Sequence, residues 1–178
     1  MASMTLSGRG LFKTDCHLLC LLECVEVSSG VDMAIQFHPD RGDVLICDFS
    51  DFKAPEMTKR RPVVVLSPKR RHGPDVVTVV PLSTTPPNPQ QIWHCKLSLA
   101  LPDPYSALTH WVKGDMVYSV ALRRLNLFKL GKDDSGKRQY EYVSLTPEQL
   151  ADVEQCVLNG LGFYEEAKRI RLAEAKSC

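Results

Sequence analysis

The sequence predicts a small β-barrel with a C-terminal helix packed against it, a mostly β fold of the α+β class. Two observations support this prediction. Between residues 43 and 145, short runs of β-branched and other apolar residues alternate with segments that contain Pro, Gly or charged residues. The segment Thr146–Gln149 (TPEQ) then has the features of a helix start, and an apolar stripe at helical spacing follows it.

The composition is that of an ordinary globular protein. The chain has 178 residues, of which 44% are hydrophobic and 24% charged, with a formal net charge of +1. No apolar run approaches the ~18 residues of a membrane span, and Glu23 and Glu26 interrupt the nearest approach to a signal peptide. The seven cysteines include no CxxC pair, which is typical of a reducing cytoplasm. We therefore expect a cytoplasmic protein that is not associated with a membrane.

Three regions are expected along the chain. Residues 1–32 form an N-terminal extension, disordered or partly helical, residues 33–162 the barrel domain with its helix, and residues 163–178 a charged helical tail. Three cysteines of the extension lie at helical spacing (Cys16, Cys20, Cys24). Helical periodicity explains their spacing, and a zinc site usually needs a second ligand cluster, so we predict no metal site and no cofactor.

Three strands are predicted first. Asp43–Phe49 (DVLICDF) is apolar on both faces, which indicates a buried strand, and a polar loop with Pro55 follows it. Val63–Ser67 and Val76–Leu82 are rich in β-branched residues. Because the turn between them, Lys69–Pro74, is short and basic, these two strands are expected to form an antiparallel hairpin.

The register of this hairpin determines which residues meet at its open end. If Leu66 pairs with Thr78, then Arg61 lies opposite Ser83, with Thr84 beside it. An error of two residues in register would still leave Arg61 near this end of the second strand.

The remaining strands are shorter or less regular. Gln91–Leu99 alternates between apolar and polar residues, which predicts a half-exposed strand with His94 on its solvated face. Ser106–Val120 is a further strand-rich stretch, broken at Gly114. Two weaker candidates complete the sheet (Leu125–Leu130, Gln139–Leu145).

The C-terminal helix has a clear start. Thr146 suits the N-cap, Pro147 suits the first helical position, and Gln149 sits where it completes a capping box. Gly160 is expected to end or kink this helix, and a second helix is predicted for Phe163–Lys176. The apolar stripe of the first helix comprises Leu150, Val153, Val157 and Leu161.

Several motifs occur in a fixed order from Gly42 to Gly162. Glu56 lies in a loop that leads into Arg61–Pro68 (RPVVVLSP), and Val80–Thr84 (VPLST) and Val112–Asp115 (VKGD) follow. Their order and spacing resemble the MazF/PemK family of toxin endoribonucleases. The resemblance implies an SH3-like barrel, an architecture shared with CcdB toxins, and a homodimer. It also implies a cognate antitoxin and cleavage of single-stranded RNA without a ribosome.

Cutting RNA without a metal uses the neighbouring 2′-OH as the nucleophile, so the site needs a base, an acid and a cation for the phosphate. Arg61 suits the phosphate, because its planar guanidinium matches two phosphate oxygens. Ser83 or Thr84 would orient the phosphate. Two carboxylates, Glu56 and Asp115, are alternatives for the base. Further RNA contacts are expected from Lys59, Arg60 and Lys113.

The sequence also departs from the family pattern. Ser83 replaces a frequent Thr, Met57 a frequent Gln after the loop Glu, Arg60 a His of some members, and Lys113 an Arg of others. An alternative function is therefore a non-catalytic binding protein with the same barrel. It would act as a CcdB-like gyrase inhibitor or as an inactive MazF relative that binds RNA or an antitoxin.

Overall fold

The structure, a computed structural model, describes residues 35–69 and 75–174, with only the backbone for residues 171–174. The predictions for residues 1–32, including Cys16, Cys20 and Cys24, lie outside the described residues, as does most of the basic turn that begins at Lys69. No helix within the described ranges combines the length and the apolar character needed to cross a membrane.

The described residues form ten strands, one 3₁₀ turn and two helices. In chain order the elements are β1 (Asp43–Cys47), β2 (Arg61–Val65), β3 (Val76–Ser83), β4 (Lys96–Ser98), β5 (Thr109–Val112), β6 (Tyr118–Ala121), the 3₁₀ turn (Leu122–Arg124), β7 (Leu125–Asn126), β8 (Phe128–Lys132), β9 (Arg138–Glu141), β10 (Val143–Ser144), α1 (Pro147–Gly160) and α2 (Tyr164–Glu174).

Eight strands form one antiparallel sheet in the order β10-β1-β2-β3-β5-β4, to which β6 adds by pairing with β3 and β7 by pairing with β1. The remaining two, β8 and β9, form a separate hairpin. The sheet curls into a half-barrel, so the predicted mostly β fold with C-terminal helices is confirmed. The break predicted at Gly114 is also confirmed, because β5 ends before it and β6 begins after it.

The central strands are buried on both faces, as the apolar sequence of β1 predicts. Val44 and Ile46 belong to one core cluster, which also contains Val153 and Val157 of α1. Leu45, with the other alternate residues of β1 and β2, belongs to a second cluster on the opposite face. Full burial of each such side chain stabilises the fold by roughly 1.5–3 kcal/mol.

The predicted hairpin register is confirmed. Val63 pairs with Pro81 and the next two pairs follow in the same register, and the amide of Leu66 donates to the carbonyl oxygen of Thr78 at 2.8 Å. The ladder between β2 and β3 ends at Pro81, which has no N–H to donate.

Beyond that point the two strands have other partners. Arg61 pairs with Cys47 of β1, and Ser83 pairs with Trp111 of β5. The direct opposition of Arg61 and Ser83 therefore remains a prediction.

The start of α1 is as predicted. The hydroxyl of Thr146 accepts from the amide of Gln149 at 3.3 Å, and the side-chain oxygen of Gln149 accepts from the amide of Thr146 at 3.0 Å. The second helix is confirmed as α2, which buries Ala167 and accepts a 3.4 Å hydrogen bond from Gln155 of α1.

The prediction for Gln91–Leu99 was wrong in its first half. Only β4 is a strand, and the preceding residues form a turn in which the amide of His94 donates to the carbonyl oxygen of Gln91 at 3.0 Å. The side chain of His94 is only 9% exposed and is not a solvated residue of an outer face. Alternation alone could not reveal this turn, which is closed by hydrogen bonds in both directions between Gln91 and His94.

Candidate active site

Arg61 is the first residue of β2 and is half-buried at the edge of the sheet. Its Nε is buried, and no hydrogen-bond acceptor for it exists among the described residues. A buried donor without a partner lowers stability by about 1–3 kcal/mol, more when the group is charged. The hydrogen-bonding capacity of this N–H is therefore not satisfied within the described residues.

Cys47 faces Arg61 across the β1–β2 ladder, so its thiol is a possible competing nucleophile. Burial raises the pKa of Cys47 to about 12, although the charge of Arg124 opposes this shift. The thiol is therefore neutral at physiological pH and is not an activated nucleophile.

Two further residues, Tyr105 and Asp48, are electrostatically coupled to the arginines. Burial raises the pKa of Tyr105, while Arg60 and Arg61 act in the opposite direction. Its phenol thus keeps its proton at neutral pH and is a hydrogen-bond donor. For Asp48, burial acts to raise the pKa, but hydrogen bonds from Ser50 and the charges of Arg60 and Arg124 outweigh it and hold the pKa below its usual range.

A cleft of about 280 Å³ lies beside this group of residues. Its walls carry two cationic side chains, one carboxylate and one phenol, and its floor is apolar. The lining side chains include Arg60, Asp103, Tyr105, Leu127, Phe128 and Lys129. The mixture of charges and an aromatic ring is suited to a polar, partly aromatic ligand.

The loop before β2 is held in place at its apolar residues. The amide of Met57 donates to the hydroxyl of Tyr118 at 3.2 Å, and Phe52 packs against the same ring. Arg124 donates to the carboxylate of Asp51 at 3.0 Å and lies 5.1 Å from the centre of the Phe52 ring. Met57, which departs from the family pattern, is therefore one of the anchors of this loop.

The predicted site residues of the same loop are exposed. Lys59 and Arg60 face solvent immediately before Arg61. Glu56 is also exposed, and its carboxylate accepts from the amide of Lys53 at 3.4 Å. The partial burial that would make Glu56 a stronger base is thus not found in the isolated chain.

Ser83 ends β3 and is only 6% exposed. Its hydroxyl accepts from the amide of Thr85 at 3.2 Å and donates to the carbonyl oxygen of the same residue at 3.4 Å. Thr84 is exposed. Ser83 thus shapes a turn, whereas the neighbouring Thr84 is an exposed residue.

Asp115 and Lys113 lie in a different setting, next to His94. The Nε2 atom of His94 is 3.6 Å from the Oδ1 atom of Asp115, and Nδ1 accepts from the amide of Gln91 at 3.1 Å. Burial lowers the pKa of His94, and the charge of Lys113 adds to this effect while Asp115 opposes it. The ring is therefore neutral at pH 7, with its proton on Nε2, facing Asp115.

The backbone beside Asp115 is pressed against the end of α1. A Cβ atom added at Gly114 would lie 2.5 Å from the carbonyl oxygen of Cys156, and one added at Gly160 would collide with the carbonyl of Gly114. Two glycines are thus required where the turn after β5 meets the last turn of α1. This contact fixes the position of Asp115 relative to the helix.

The sequence model of the PemK-like, MazF-like toxins of type II toxin-antitoxin systems matches residues 40–159 of this chain. The chain belongs to this family. An uncharacterized Escherichia coli (strain K12) protein, YifN, is 28% identical over 150 residues, which cover 72% of this chain and 95% of YifN.

Two solved structures are similar to this family member. MazF from Deinococcus radiodurans shares 20% identity with a TM-score of 0.51, covering 71% of this chain and 98% of that one, and shows the common fold. An endoribonuclease from mycobacterial species, solved with its cognate antitoxin, has 20% identity and a TM-score of 0.47, covering 70% and 95%.

Every site residue predicted from the sequence lies within the part matched to the PemK/MazF family, and the described interactions of several of these residues fall into two groups. Arg60 and Arg61 lie with Asp48 and Tyr105, whereas Lys113 and Asp115 lie with His94. Among the described residues, no group of three or more His, Cys, Asp or Glu side chains is arranged to hold a metal ion.

Three neighbours of the predicted site residues, namely Asp48, Tyr105 and His94, were not predicted from the sequence to belong to the site. Asp48 could have been found, because it directly follows Cys47, the residue that pairs with Arg61. Tyr105 belongs to an irregular segment between β4 and β5 and carries no sequence signal of its position. His94 was singled out but assigned to the solvated face.

Proposed function

We propose that this protein is the toxin of a type II toxin-antitoxin system and cleaves single-stranded RNA as a metal-independent and ribosome-independent endoribonuclease. The observation that carries the proposal is the buried Nε–H of Arg61, which has no acceptor among the described residues and lies beside a cleft with cationic walls. Family membership supports the assignment to toxins, and single-stranded RNA supplies both the phosphates and the aromatic bases that such a cleft would bind.

The proposed reaction transfers the phosphate within the RNA chain. The 2′-oxygen loses its proton to a base and forms a bond to the adjacent phosphorus, while the bond from phosphorus to the 5′-oxygen breaks and that oxygen takes up a proton. The products are a 2′,3′-cyclic phosphate and a 5′-OH. Arg61 would bind the phosphate oxygens on which negative charge increases in the transition state.

Glu56 is the better candidate for the base, because it lies on the loop that leads directly into Arg60 and Arg61. Asp115, the alternative, is held beside the neutral ring of His94. Thr84, with its exposed hydroxyl, is better placed than Ser83 to hydrogen-bond the phosphate. Positive charge for further phosphates would come from Lys59, Arg60 and Lys113.

The protein would act in the cytoplasm as a homodimer, and a cognate antitoxin would block its site. Exposure of Glu56 in one chain is compatible with this assembly, since a second chain or the RNA itself would cover the loop.

The decisive experiment is incubation of a defined RNA with the protein in chelator, followed by chemical mapping of the new ends. We expect 5′-OH and 2′,3′-cyclic phosphate ends. We also expect Arg61→Ala to lower kcat/KM by roughly 10²–10³-fold, as removal of one transition-state donor does elsewhere. Arg138→Ala, which changes an exposed arginine of β9, is the matched control. Intact RNA, or equal cutting by Arg61→Ala, would overturn the proposal.

One observation favours a second candidate, a non-catalytic binding protein. Asp115 is engaged by His94 and Glu56 is exposed, so neither carboxylate is buried beside Arg61 in the isolated chain. A protein of this kind would bind a labelled RNA oligonucleotide, which raises the anisotropy of the label, and would leave the RNA uncut. A CcdB-like activity would instead appear as inhibition in a gyrase supercoiling assay.

A further inference from the structure

The cleft beside Tyr105 continues into a second one. The second cleft has a volume of about 370 Å³, and Asp103 and Lys129 line both clefts. Together they form a groove between the segment before β5 and strand β8, which we call the Tyr105 groove. Leu130 and Glu141 line its far part, and Arg60 lines its near part.

The near end of the Tyr105 groove adjoins Arg61. Arg60 and Tyr105 line the same cleft, and Arg61 directly follows Arg60 as the first residue of β2. A phosphate bound by Arg61 would therefore place the adjoining nucleotide at the mouth of the groove.

The aromatic ring in the groove is held in a defined position. Tyr105 is half-buried, and its ring lies at 76° to the ring of Phe128 with centroids 6.3 Å apart. Proteins that bind single-stranded nucleic acid use such rings as stacking platforms, and stacking is compatible with any base.

The charges of the groove distinguish a base from a phosphate. Asp103 is an exposed carboxylate that lines the same cleft as the cationic side chains of Arg60 and Lys129. A carboxylate repels phosphate but accepts hydrogen bonds from the amino group of a base, such as N4 of cytosine. Uracil has no amino group, so it would be disfavoured opposite Asp103.

We propose that the Tyr105 groove binds the base next to the scissile phosphate and selects bases that carry an amino group. Tyr105 stacks on the base, Asp103 accepts from its amino group, and Lys129 binds the following phosphate. The inference rests on the proposed function, because it takes the phosphate at Arg61 to be the one that is cut.

The test uses a random-sequence RNA pool in chelator, with the bases around each cut determined for the wild-type protein and for variants. Asp103→Asn replaces an acceptor-only group by one that also donates, so the bias against uracil at one position next to the cut should disappear. Asp134→Asn, in the turn between β8 and β9, is the matched control. An unchanged base profile in Asp103→Asn would overturn the inference.

Two substitutions of the tyrosine separate stacking from hydrogen bonding. Tyr105→Leu should raise KM about tenfold with little effect on kcat, because one stacked base is lost. Tyr105→Phe keeps the ring and loses the phenol donor, so its KM should lie closer to the wild-type value than that of Tyr105→Leu. Lys129→Gln should raise KM and reduce its salt dependence, whereas Lys132→Gln, an exposed lysine on the same strand, should not. Equal KM values for all four variants would contradict the proposal.

A binding arm keeps the two proposals distinguishable. The anisotropy of labelled 2′-O-methyl hexamers, which cannot be cut, is measured with cytosine or uracil at each position. Discrimination that Asp103→Asn removes, together with no cutting by the wild type, would support the groove and overturn the nuclease. Cutting by the wild type without such discrimination would support the nuclease and overturn the proposed role of the groove. Loss of antitoxin binding in these variants, with RNA binding unchanged, would assign the groove to the antitoxin and overturn the inference.

Discussion

Two regions of the molecule carry residues that match the family motifs, and they are built differently. In the Arg61 region (Asp48, Arg60, Arg61, Tyr105) a buried N–H has no acceptor among the described residues, and a cleft adjoins the group. In the His94 region (His94, Lys113, Asp115 with the end of α1) the ring is paired and the backbones of two glycines are in tight contact. The Arg61 region thus retains an unpaired donor beside a cleft, whereas the glycines of the His94 region hold the end of α1 against the turn after β5.

Replacing each candidate base tests this difference most strongly. Glu56→Gln should lower kcat by about 10²-fold or more, because a general base contributes that much, and should abolish the acidic limb of the pH–rate profile. Asp115→Asn should lower kcat less than about tenfold, since it changes only the partner of His94. Single-turnover cleavage of a defined RNA measures both. A larger loss of kcat in Asp115→Asn than in Glu56→Gln would assign the role of the base to Asp115, in the His94 region.

Gly160→Ala should lower the free energy of unfolding by about 2 kcal/mol, in the range of other overpacking substitutions. In an exposed helix the same change would stabilise by up to about 1 kcal/mol, so the sign of the effect identifies the contact with Gly114. Urea unfolding of the purified variant provides the measurement. A stabilised variant would show that the end of α1 is not pressed against the turn after β5.

The smallest expected effect is on the pH dependence of stability. The pKa of His94 is lowered in the folded protein, so the unfolded chain takes up the proton first as the pH falls below the ordinary value of 6.5. Stability should therefore decline from pH 7 to pH 5, with buried His110 contributing in the same direction. His94→Gln should make this decline shallower in urea titrations. If the stability of His94→Gln declines as steeply with falling pH as that of the wild type, groups other than His94 cause the decline.

Much of the fold was predictable because its signals are local. Thr146 and Gln149 form their capping box from adjacent backbone and side-chain atoms, and the pairing of Leu66 with Thr78 follows from a short connection. The turn that contains His94 was not predicted from the alternation of apolar and polar residues, and its contact with Asp115 joins segments that are distant in sequence.

Contacts between segments that are distant in sequence also limited the prediction of the candidate site. Arg60 and Arg61 were predicted, since they adjoin a strand whose partners are close in sequence. Tyr105 lies in the irregular segment between β4 and β5 and Lys129 lies on β8, and no spacing in the sequence indicates that they meet.

We propose that RNA is cut at the Arg61 region. To test this, one RNA is incubated in chelator with each of three proteins side by side. We predict that the wild type and His94→Gln both produce 2′,3′-cyclic phosphate and 5′-OH ends, and that Arg61→Ala leaves the RNA essentially intact. Equal cutting by Arg61→Ala, or intact RNA with folded His94→Gln, would contradict the account.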